Sequence, residues 1–305
     1  MLSEFDLIRR YFARPAAPGQ GVALGVGDDA ALLRPGGDME LAVSTDMLLE
    51  GRHFRPGADP RKLGHKALAV NLSDLAAMGA APRWATLALA LPEVDEVWLD
   101  AFAQGFYALA ARYGVVLVGG DTTRGPRTLC VTIFGEVPPG LALFRAGAVP
   151  GDDIWVSGEL GGAALALAQP HNAAAAARLD APEPRVELGE RLRGIANAAI
   201  DVSDGLAQDL GHILERSGVG AVIEAARLPA FPGADLQQVL SGGDDYELLF
   251  SARQDRRADI EALSRELDLA LTCVGSIQSG EPRLQVLDRE RRALAVGRGF
   301  DHFAP

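Results

Sequence analysis

The sequence predicts a mixed α/β (α+β) protein of two domains. Segments of β character are followed by segments of helical character along the whole chain, a pattern that argues against an all-α fold. The chain has 305 residues, 48% of them hydrophobic and 23% charged, which is typical of a folded globular protein. At roughly 150 residues per domain, this length corresponds to about two domains. The turn-rich segments Pro138–Gly140 and Pro150–Asp152 place the boundary near residue 140, between domains 1–140 and 141–305.

Strands are predicted where short apolar runs are bounded by turn residues, and helices where apolar residues recur every three or four positions. In chain order, the predicted strands are Val22–Val26, Leu41–Thr45, Thr86–Ala90, Val115–Val118, Leu129–Val137, Asp153–Ser157, Ala199–Val202, Ala221–Glu224, Tyr246–Ser251 and Leu271–Ile277. The predicted helices are Arg61–Met78, Val97–Tyr113, Ala163–Ala168, Arg185–Asn197, Leu206–Ser217 and Arg257–Glu266. The alanine-rich run Ala173–Ala177, which lies between segments that contain proline, is interpreted as a surface insertion without chemistry.

The charge of the chain limits the classes of partner. Acidic residues outnumber basic residues by 41 − 29 = 12, which gives a formal net charge of −12. This balance argues against broad binding to nucleic acid or to an anionic membrane, because both require a basic surface. It does not exclude a phosphorylated substrate, since clustered carboxylates hold Mg²⁺ and Mg²⁺ holds phosphate. The first twelve residues contain acids and no continuous apolar core, so we expect no signal peptide and a cytoplasmic location.

Four groups of aspartates follow apolar segments that are predicted to be strands. They are Gly27-Asp28-Asp29, Ser44-Thr45-Asp46, Gly119-Gly120-Asp121 and Asp201-Val202-Ser203-Asp204. Open α/β sheets bind ligands beyond the carboxyl ends of their strands, so these side chains are candidate ligands. For any one group, the alternative is that Asp beside Gly forms a turn or a helix cap.

A fifth aspartate falls within a predicted helix. The apolar stripe of the helix Arg61–Met78 is Leu63, Ala67, Val70, Asp74 and Met78. A carboxylate at Asp74 would therefore need a cation, which is either a metal ion or a neighbouring arginine. The chain contains only two lysines, Lys62 and Lys66, and this excludes a phosphate-binding Gly-x-x-x-x-Gly-Lys-Ser/Thr loop. Metals, backbone amides and arginines would have to neutralise the phosphates of any bound nucleotide.

These motifs resemble those of the thiamine-monophosphate kinases, a family of the PurM-like ATP-binding superfamily. In the first half of the chain the matching segments are Gly27–Ala30, Ser44–Phe54, Lys66–Gly79 and Gly119–Pro126. In the second half they are Arg145–Ala148, Pro150–Asp152, Ile200–Leu206, Ser241–Leu248 and Gly299–Phe303. They run in family order over nearly the whole chain, which makes the set far more specific than any single motif.

The resemblance implies ATP-dependent phosphorylation of thiamine monophosphate to thiamine diphosphate, with Mg²⁺ and by direct transfer of the γ-phosphoryl group. It also implies a PurM-like fold in which residues 1–140 pair in a homodimer and residues 141–305 close over the nucleotide. The residues implied as metal ligands are Asp29, Ser44, Thr45, Asp46, Asp74, Asp121, Asp201 and Asp204. Those implied as nucleotide contacts are Gly120, Asp121, Arg145 and Ser203, and those implied as substrate contacts are His53, Asp245 and Phe300.

Several alternatives remain open from the sequence. His53 also fits a capping or surface histidine, and Phe300 also fits ordinary C-terminal packing. Where the family commonly has Gly-Gly-Glu-Asp-Tyr-Glu, this chain has Asp244 in place of the first Glu, which leaves the role of Asp244 open. A PurM-like ATP-dependent synthetase or maturation enzyme would carry similar motifs. So would a non-catalytic nucleotide-binding regulator.

Overall fold

The computed structural model describes residues 4–27, 29–297 and 299–300. The chain divides into two compact units, one within residues 1–75 and 80–140 and the other within residues 76–79 and 141–305. Among the described residues, none of the helices combines the length and the apolar character needed to cross a lipid bilayer.

Residues 4–140 contain three helices and six strands in the described part of the chain. In order they are α1 (Glu4–Leu7), which continues into a π-helical turn (Ile8–Phe12), β1 (Val22–Leu24), β2 (Leu32–Leu33), β3 (Glu40–Leu49), α2 (Pro60–Ala77), β4 (Ala81–Leu91), α3 (Glu96–Tyr113), β5 (Val116–Arg124) and β6 (Thr128–Val137). Strands β1 and β2 form a short antiparallel pair. The other four, as described, form a sheet in the order β3-β6-β4-β5, in which only β4 and β5 run parallel.

Helix α3 makes the crossover that a parallel pair of strands requires. It begins after Asp95, whose Oδ1 accepts the backbone N–H groups of Val97 and Trp98, both at 3.0 Å. It ends at Gly114, whose φ of 67° is the left-handed conformation that commonly closes a helix. The core of this half is formed by apolar side chains of the sheet and of both long helices, including Leu68, Leu72, Leu75, Leu87, Leu89, Leu99, Phe102, Phe106, Leu129, Val131 and Ile133.

The remaining residues contain six α-helices and seven strands in the described part of the chain. In order they are β7 (Asp153–Ser157), α4 (Gly162–Ala168), α5 (Ala173–Asp180), α6 (Val186–Arg191), β8 (Ala196–Asp201), α7 (Leu206–Ser217), β9 (Gly220–Glu224), α8 (Leu236–Ser241), β10 (Leu248–Ala252), α9 (Arg257–Glu266), β11 (Leu271–Gln278), β12 (Leu284–Leu287) and β13 (Ala293–Leu294). The strands form a mixed sheet in the order β13-β12-β9-β11-β7-β10-β8. Helix α7 packs on it through Leu206, Leu210, Ile213 and Leu214, which share one face at helical spacing.

The structure corrects several predictions made from the sequence. The helix predicted for Arg185–Asn197 ends at Arg191, because Gly194 takes a positive φ of 73° and the chain then enters β8. Strand β3 continues three residues beyond Asp46 and β5 three residues beyond Asp121, so these aspartates lie within strands rather than at strand ends. The alanine-rich run, predicted as a surface insertion without chemistry, is helical, and its lack of chemistry stays a prediction. It forms α5, capped by Asn172, with Ala175 buried in a small apolar cluster.

Candidate functional site

Asp46 and Asp74 form a pair of carboxylates between β3 and α2. Side chains alternate along a strand, so Ser44 and Asp46 point to the same side. Ser44 Oγ donates a hydrogen bond to Asp74 Oδ2. Asn71, one turn before Asp74 on α2, accepts the backbone N–H of Asp46 at 3.2 Å. Burial, together with the negative charge of Asp74, raises the pKa of Asp46 to about 7. The pair therefore favours a cation between or beside its oxygens.

Thr45 and Asp121 lie on the opposite face of the same sheet. The Thr45 hydroxyl donates a hydrogen bond to Thr132 Oγ1 of β6 at 2.9 Å. Residues that are directly opposite in register share a face, and the row that contains Asp121 continues through Ala88, Cys130 and Met47. Met47 is next to Asp46 on β3, so its side chain points away from that of Asp46. The structure does not bring Asp46 and Asp121 together.

Asp29, Gly120 and Asp121 line one cavity of about 530 Å³ at the β5 edge of the sheet. Gly120 has a φ of 147°, and a Cβ atom built on it would lie 1.9 Å from the carbonyl oxygen of Leu87. Only glycine fits this position, because the backbone of β5 approaches β4 too closely for a side chain. The cavity therefore combines exposed backbone with two carboxylates, an arrangement that suits a metal-bound phosphate.

In the second unit, the end of β8 and the loop that leads from it to α7 carry Asp201, Ser203 and Asp204. Asp201 is the last residue of β8 and is buried. The backbone N–H groups of Ser203 and Asp204 both donate to Oδ2 of Asp209, at 3.0 and 3.1 Å. Asp209 lies in the first turn of α7 and was not predicted as a site residue. The sequence did contain an indication of this residue, because Asp209 is an acid in the first turn of a predicted helix and a helix N-terminus favours negative charge.

Arg145 and Phe300 also lie close to this loop. Burial raises the pKa of Asp209 to about 7, while the two backbone hydrogen bonds and the positive charge of Arg145 act in the opposite direction. The backbone N–H of Phe300 donates to the carbonyl oxygen of Asp204 at 3.0 Å, and Gln208 donates to the carbonyl oxygen of Phe300. Three of the predicted binding residues, Ser203, Asp204 and Arg145, therefore interact with Asp209, and Phe300 is hydrogen-bonded to the same loop.

Asp245 is held at the start of helix α4. Both of its carboxylate oxygens accept the backbone N–H of Gly161, at 3.0 and 2.9 Å. Burial raises the pKa of Asp245 to about 7. The charge of Glu247 acts in the same direction, whereas hydrogen bonds from Gly161 and Ala163 and the charge of Arg178 lower the pKa. In this conformation Asp245 supports the fold directly, and its contact with a substrate stays a prediction.

His53 lies in the turn after β3. Its Nδ1 accepts the backbone N–H of Leu49 at 3.0 Å, which is the capping role that the sequence left open. The hydrogen bond leaves Nε2 as the nitrogen that carries the proton in the neutral ring. Asp244 has a positive φ of 60° and accepts a hydrogen bond from the Tyr246 hydroxyl at 2.9 Å.

The predicted metal ligands occur as separate small groups. Within residues 4–27, 29–297 and 299–300, no three His, Cys, Asp or Glu side chains converge in a way that would hold a metal ion. The donors are nevertheless all oxygens from carboxylates and hydroxyls, with the carboxylates in pairs. Mg²⁺ is usually bound by one or two carboxylates together with water and substrate phosphate. The donor set fits Mg²⁺ under that condition.

Comparison with known proteins decides the family. Residues 27–137 match the family described as AIR synthase related protein, N-terminal domain, and residues 149–286 match its C-terminal domain. The thiamine-monophosphate kinase of Salmonella typhimurium is 45% identical over 99% of this chain and 98% of its own length. This chain belongs to the thiamine-monophosphate kinase family.

Two solved structures extend the likeness within this family. The crystal structure of thiamine-monophosphate kinase from Stenotrophomonas maltophilia matches with a TM-score of 0.84 and 48% identity, over 88% of this chain and 92% of the other. AaThiL complexed with AMPPCP and TMP matches with a TM-score of 0.78 and 30% identity, over 88% of this chain and 89% of the other. Family membership confirms the PurM-like architecture of two α/β domains that the sequence motifs implied.

Proposed function

We propose that this chain is a thiamine-monophosphate kinase that uses ATP and Mg²⁺ and produces thiamine diphosphate and ADP. The observation that carries the proposal is the alignment with AaThiL, which was solved with AMPPCP and TMP and which covers 88% of this chain. The cavity lined by Asp29, Gly120 and Asp121 supports the proposal, because exposed backbone and two carboxylates lie together there and suit a metal-bound phosphate. A cytoplasmic location fits an enzyme that draws on ATP.

The transfer needs no covalent intermediate. An oxygen of the thiamine monophosphate phosphate group forms a bond to the γ-phosphorus of ATP. The bond from that phosphorus to the bridging oxygen breaks, and ADP leaves with the electron pair. The accepting phosphate oxygen is already a competent nucleophile, so the chain needs no general base and we assign no catalytic residue. The work of the protein is positioning and neutralisation of charge.

Each of the two units contains oxygen donors that would hold Mg²⁺. The proposed ligands are Asp29, Ser44, Thr45, Asp46, Asp74, Asp121, Asp201 and Asp204. Mg²⁺ bound there would offset the negative charge of the nucleotide phosphates. The hydrogen bond from Ser44 keeps the Asp74 carboxylate oriented before any cation binds. Asn71 fixes the backbone of Asp46 in the same way.

The remaining proposed contacts concern ATP and the acceptor. Gly120, Asp121, Arg145 and Ser203 are proposed to contact the nucleotide, and His53, Asp245 and Phe300 the thiamine monophosphate. An arginine can pair with phosphate through two parallel hydrogen bonds. An aromatic ring at Phe300 suits the cationic thiazolium of thiamine.

We also propose a homodimer that pairs through β3. Leu41, Val43, Met47 and Leu49 are 38 to 56% exposed on one face of this strand, together with Thr45. A row of exposed apolar side chains on a sheet is typical of a protein interface. Sedimentation should show that Val43→Asp converts a dimer to a monomer, while Val97→Asp at the highly exposed start of α3 does not. A monomeric wild type would contradict the proposal.

The activity is tested by product analysis. Purified protein should form thiamine diphosphate from thiamine monophosphate only when both ATP and Mg²⁺ are present. Transfer to a different acceptor in a panel of carboxylates, amides and phosphates would favour a PurM-like synthetase or maturation enzyme. Calorimetric binding of ATP without transfer to any acceptor would favour a non-catalytic regulator. Either result would contradict the proposed kinase activity.

A further inference from the structure

Asp209 lies beneath the loop that carries Ser203 and Asp204. Its side chain is 2% exposed, and one oxygen, Oδ2, accepts the backbone N–H groups of both loop residues. These bonds connect the first turn of α7 to the loop that precedes it. The next residue, Gly205, has a φ of 111°, a conformation that glycine adopts without strain. The carbonyl oxygens of Ser203 and Asp204 accept the backbone N–H groups of Asp244 and Phe300, whereas their own N–H groups are held by the Asp209 side chain.

A buried carboxylate at this position must be stabilised by nearby hydrogen bonds or positive charges. Removal of a carboxylate from water costs free energy unless charged partners or hydrogen bonds offset the loss. Here the offset comes from the two backbone N–H groups and from the positive charge of Arg145. These groups belong to Ser203, Asp204 and Arg145, which are the residues proposed to contact the nucleotide or the metal. Asp209 thus connects them without lying at the reacting atoms.

We propose that Asp209 is a positioning residue for phosphoryl transfer, which fixes the backbone of Ser203 and Asp204 so that their side chains reach Mg²⁺ and nucleotide in the correct geometry. The inference rests on the proposed function. Substitution of residues that orient metal ligands by hydrogen bonds, without binding the metal themselves, lowers metal affinity or activity about 10- to 100-fold. We expect an effect of that size at Asp209.

The test compares two substitutions at this position. Asp209→Ala removes the acceptor of both hydrogen bonds. Asp209→Asn keeps an oxygen, Oδ1, that can take the place of Oδ2 without the charge. Asp209→Ser, whose side chain is too short to reach the two amides, replaces the alanine variant if that variant does not fold. Asp95→Ala is the matched control, because Asp95 Oδ1 also accepts two backbone N–H groups at 3.0 Å, at the start of α3.

Two measurements separate positioning from general stability. The first is the Mg²⁺ concentration for half-maximal activity, with the KM for ATP, at a temperature where all variants are folded. The second is backbone hydrogen exchange of residues 202–205 in the nucleotide-free protein. Asp209→Ala should raise the Mg²⁺ requirement about tenfold or more and accelerate exchange in this segment, and Asp209→Asn should restore both to near wild-type values.

Three results would overturn the inference. They are an alanine variant whose Mg²⁺ requirement and KM lie within twofold of wild type, an asparagine variant that behaves like the alanine variant, and an Asp95→Ala control with the same kinetic change. A wild type that forms no thiamine diphosphate would overturn the proposed function instead. Hydrogen exchange and calorimetry with an ATP analogue and Mg²⁺ would then still decide whether Asp209 positions the loop.

Discussion

Substitution of Glu247 by Gln should strongly destabilise the second unit. Glu247 is 1% exposed, and its carboxylate accepts four hydrogen bonds. Arg185 donates two of them, at 2.6 and 2.5 Å, and Arg178 donates one at 2.9 Å. Ser157 on β7 donates the fourth at 2.6 Å. One carboxylate therefore joins a central strand to α5 and to the residue that precedes α6.

The magnitude follows from the charges that the substitution leaves behind. The Arg185 and Arg178 side chains are only 14% and 29% exposed, so neither guanidinium regains full hydration when Glu247 becomes neutral. Removal of one partner from a buried ion pair costs about 3–5 kcal/mol, because the other charge remains buried without compensation. With about 3 °C of Tm per kcal/mol for a domain of this size, a loss of about 4 kcal/mol lowers Tm by about 12 °C.

The assay is thermal unfolding followed by circular dichroism, with calorimetry of both proteins. Glu266→Gln is the matched control, because Glu266 also pairs with an arginine, Arg191, but both side chains are about half exposed. Exposed ion pairs contribute little, so the control should shift Tm by less than about 3 °C. A Glu247→Gln variant with a Tm within about 3 °C of wild type would refute the reasoning.

Three further predictions concern the candidate site. The pKa of Asp245 is raised to about 7 in the folded state, so its favourable contribution to stability is present below about pH 4 and is lost as the pH rises through 7. Asp245→Asn keeps an acceptor for the backbone N–H of Gly161 but removes the titrating carboxyl group, so its free energy of unfolding should fall less than that of wild type between pH 5 and 8. The measurement is urea unfolding at several pH values, and an equal pH dependence of the two unfolding free energies would contradict the prediction. Gly120→Ala should lower the free energy of unfolding by more than about 2 kcal/mol, because residue 120 has a positive φ and the new Cβ would lie 1.9 Å from a backbone oxygen. An unchanged midpoint of urea unfolding would contradict this prediction. Asp46→Asn should lower kcat for thiamine diphosphate formation about 10²- to 10³-fold, whereas Glu40→Gln, an exposed residue on the same strand, should leave kcat within twofold of wild type.

Elements with complete local signals could be predicted from the sequence to the residue. Helix α7 begins and ends as predicted, because its apolar stripe is uninterrupted and Gly205 and Gly218 stand at its two ends. Strand β7 and helix α9 also have the predicted bounds. The short strands β12 and β13 at one side of the sheet were missed. Strand β12 is stabilised by pairing with β9, about sixty residues earlier in the chain, and the two-residue strand β13 by pairing with β12, rather than by the propensity of their own residues.

The site could be predicted as a set of residues and not as an arrangement. The motifs identified the aspartates as candidate ligands, but a motif does not indicate on which face of a sheet each side chain lies. The pairing of β4 with β5 shifts between Ala85 and Thr86, so that Leu117 pairs with Ala85 and Gly119 with Thr86. Val118 is the extra residue of a β-bulge. Without that bulge, strict alternation would place Asp121 on the same face as Leu117 and Asp46.

The bulge has a consequence for metal binding. Asp46 and Asp121 lie on opposite faces and on β3 and β5, three strand spacings of about 4.8 Å apart, or roughly 14 Å along the sheet. Ligand oxygens of one Mg²⁺ lie about 2.1 Å from the ion, so within one chain these two carboxylates cannot share a cation. The proposed ligands of the first unit must therefore divide between the Asp46–Asp74 pair and the cavity of Asp29 and Asp121. Titration with Mn²⁺ should then show that Asp74→Asn and Asp121→Asn weaken different binding events, and loss of one common event in both variants would contradict this division.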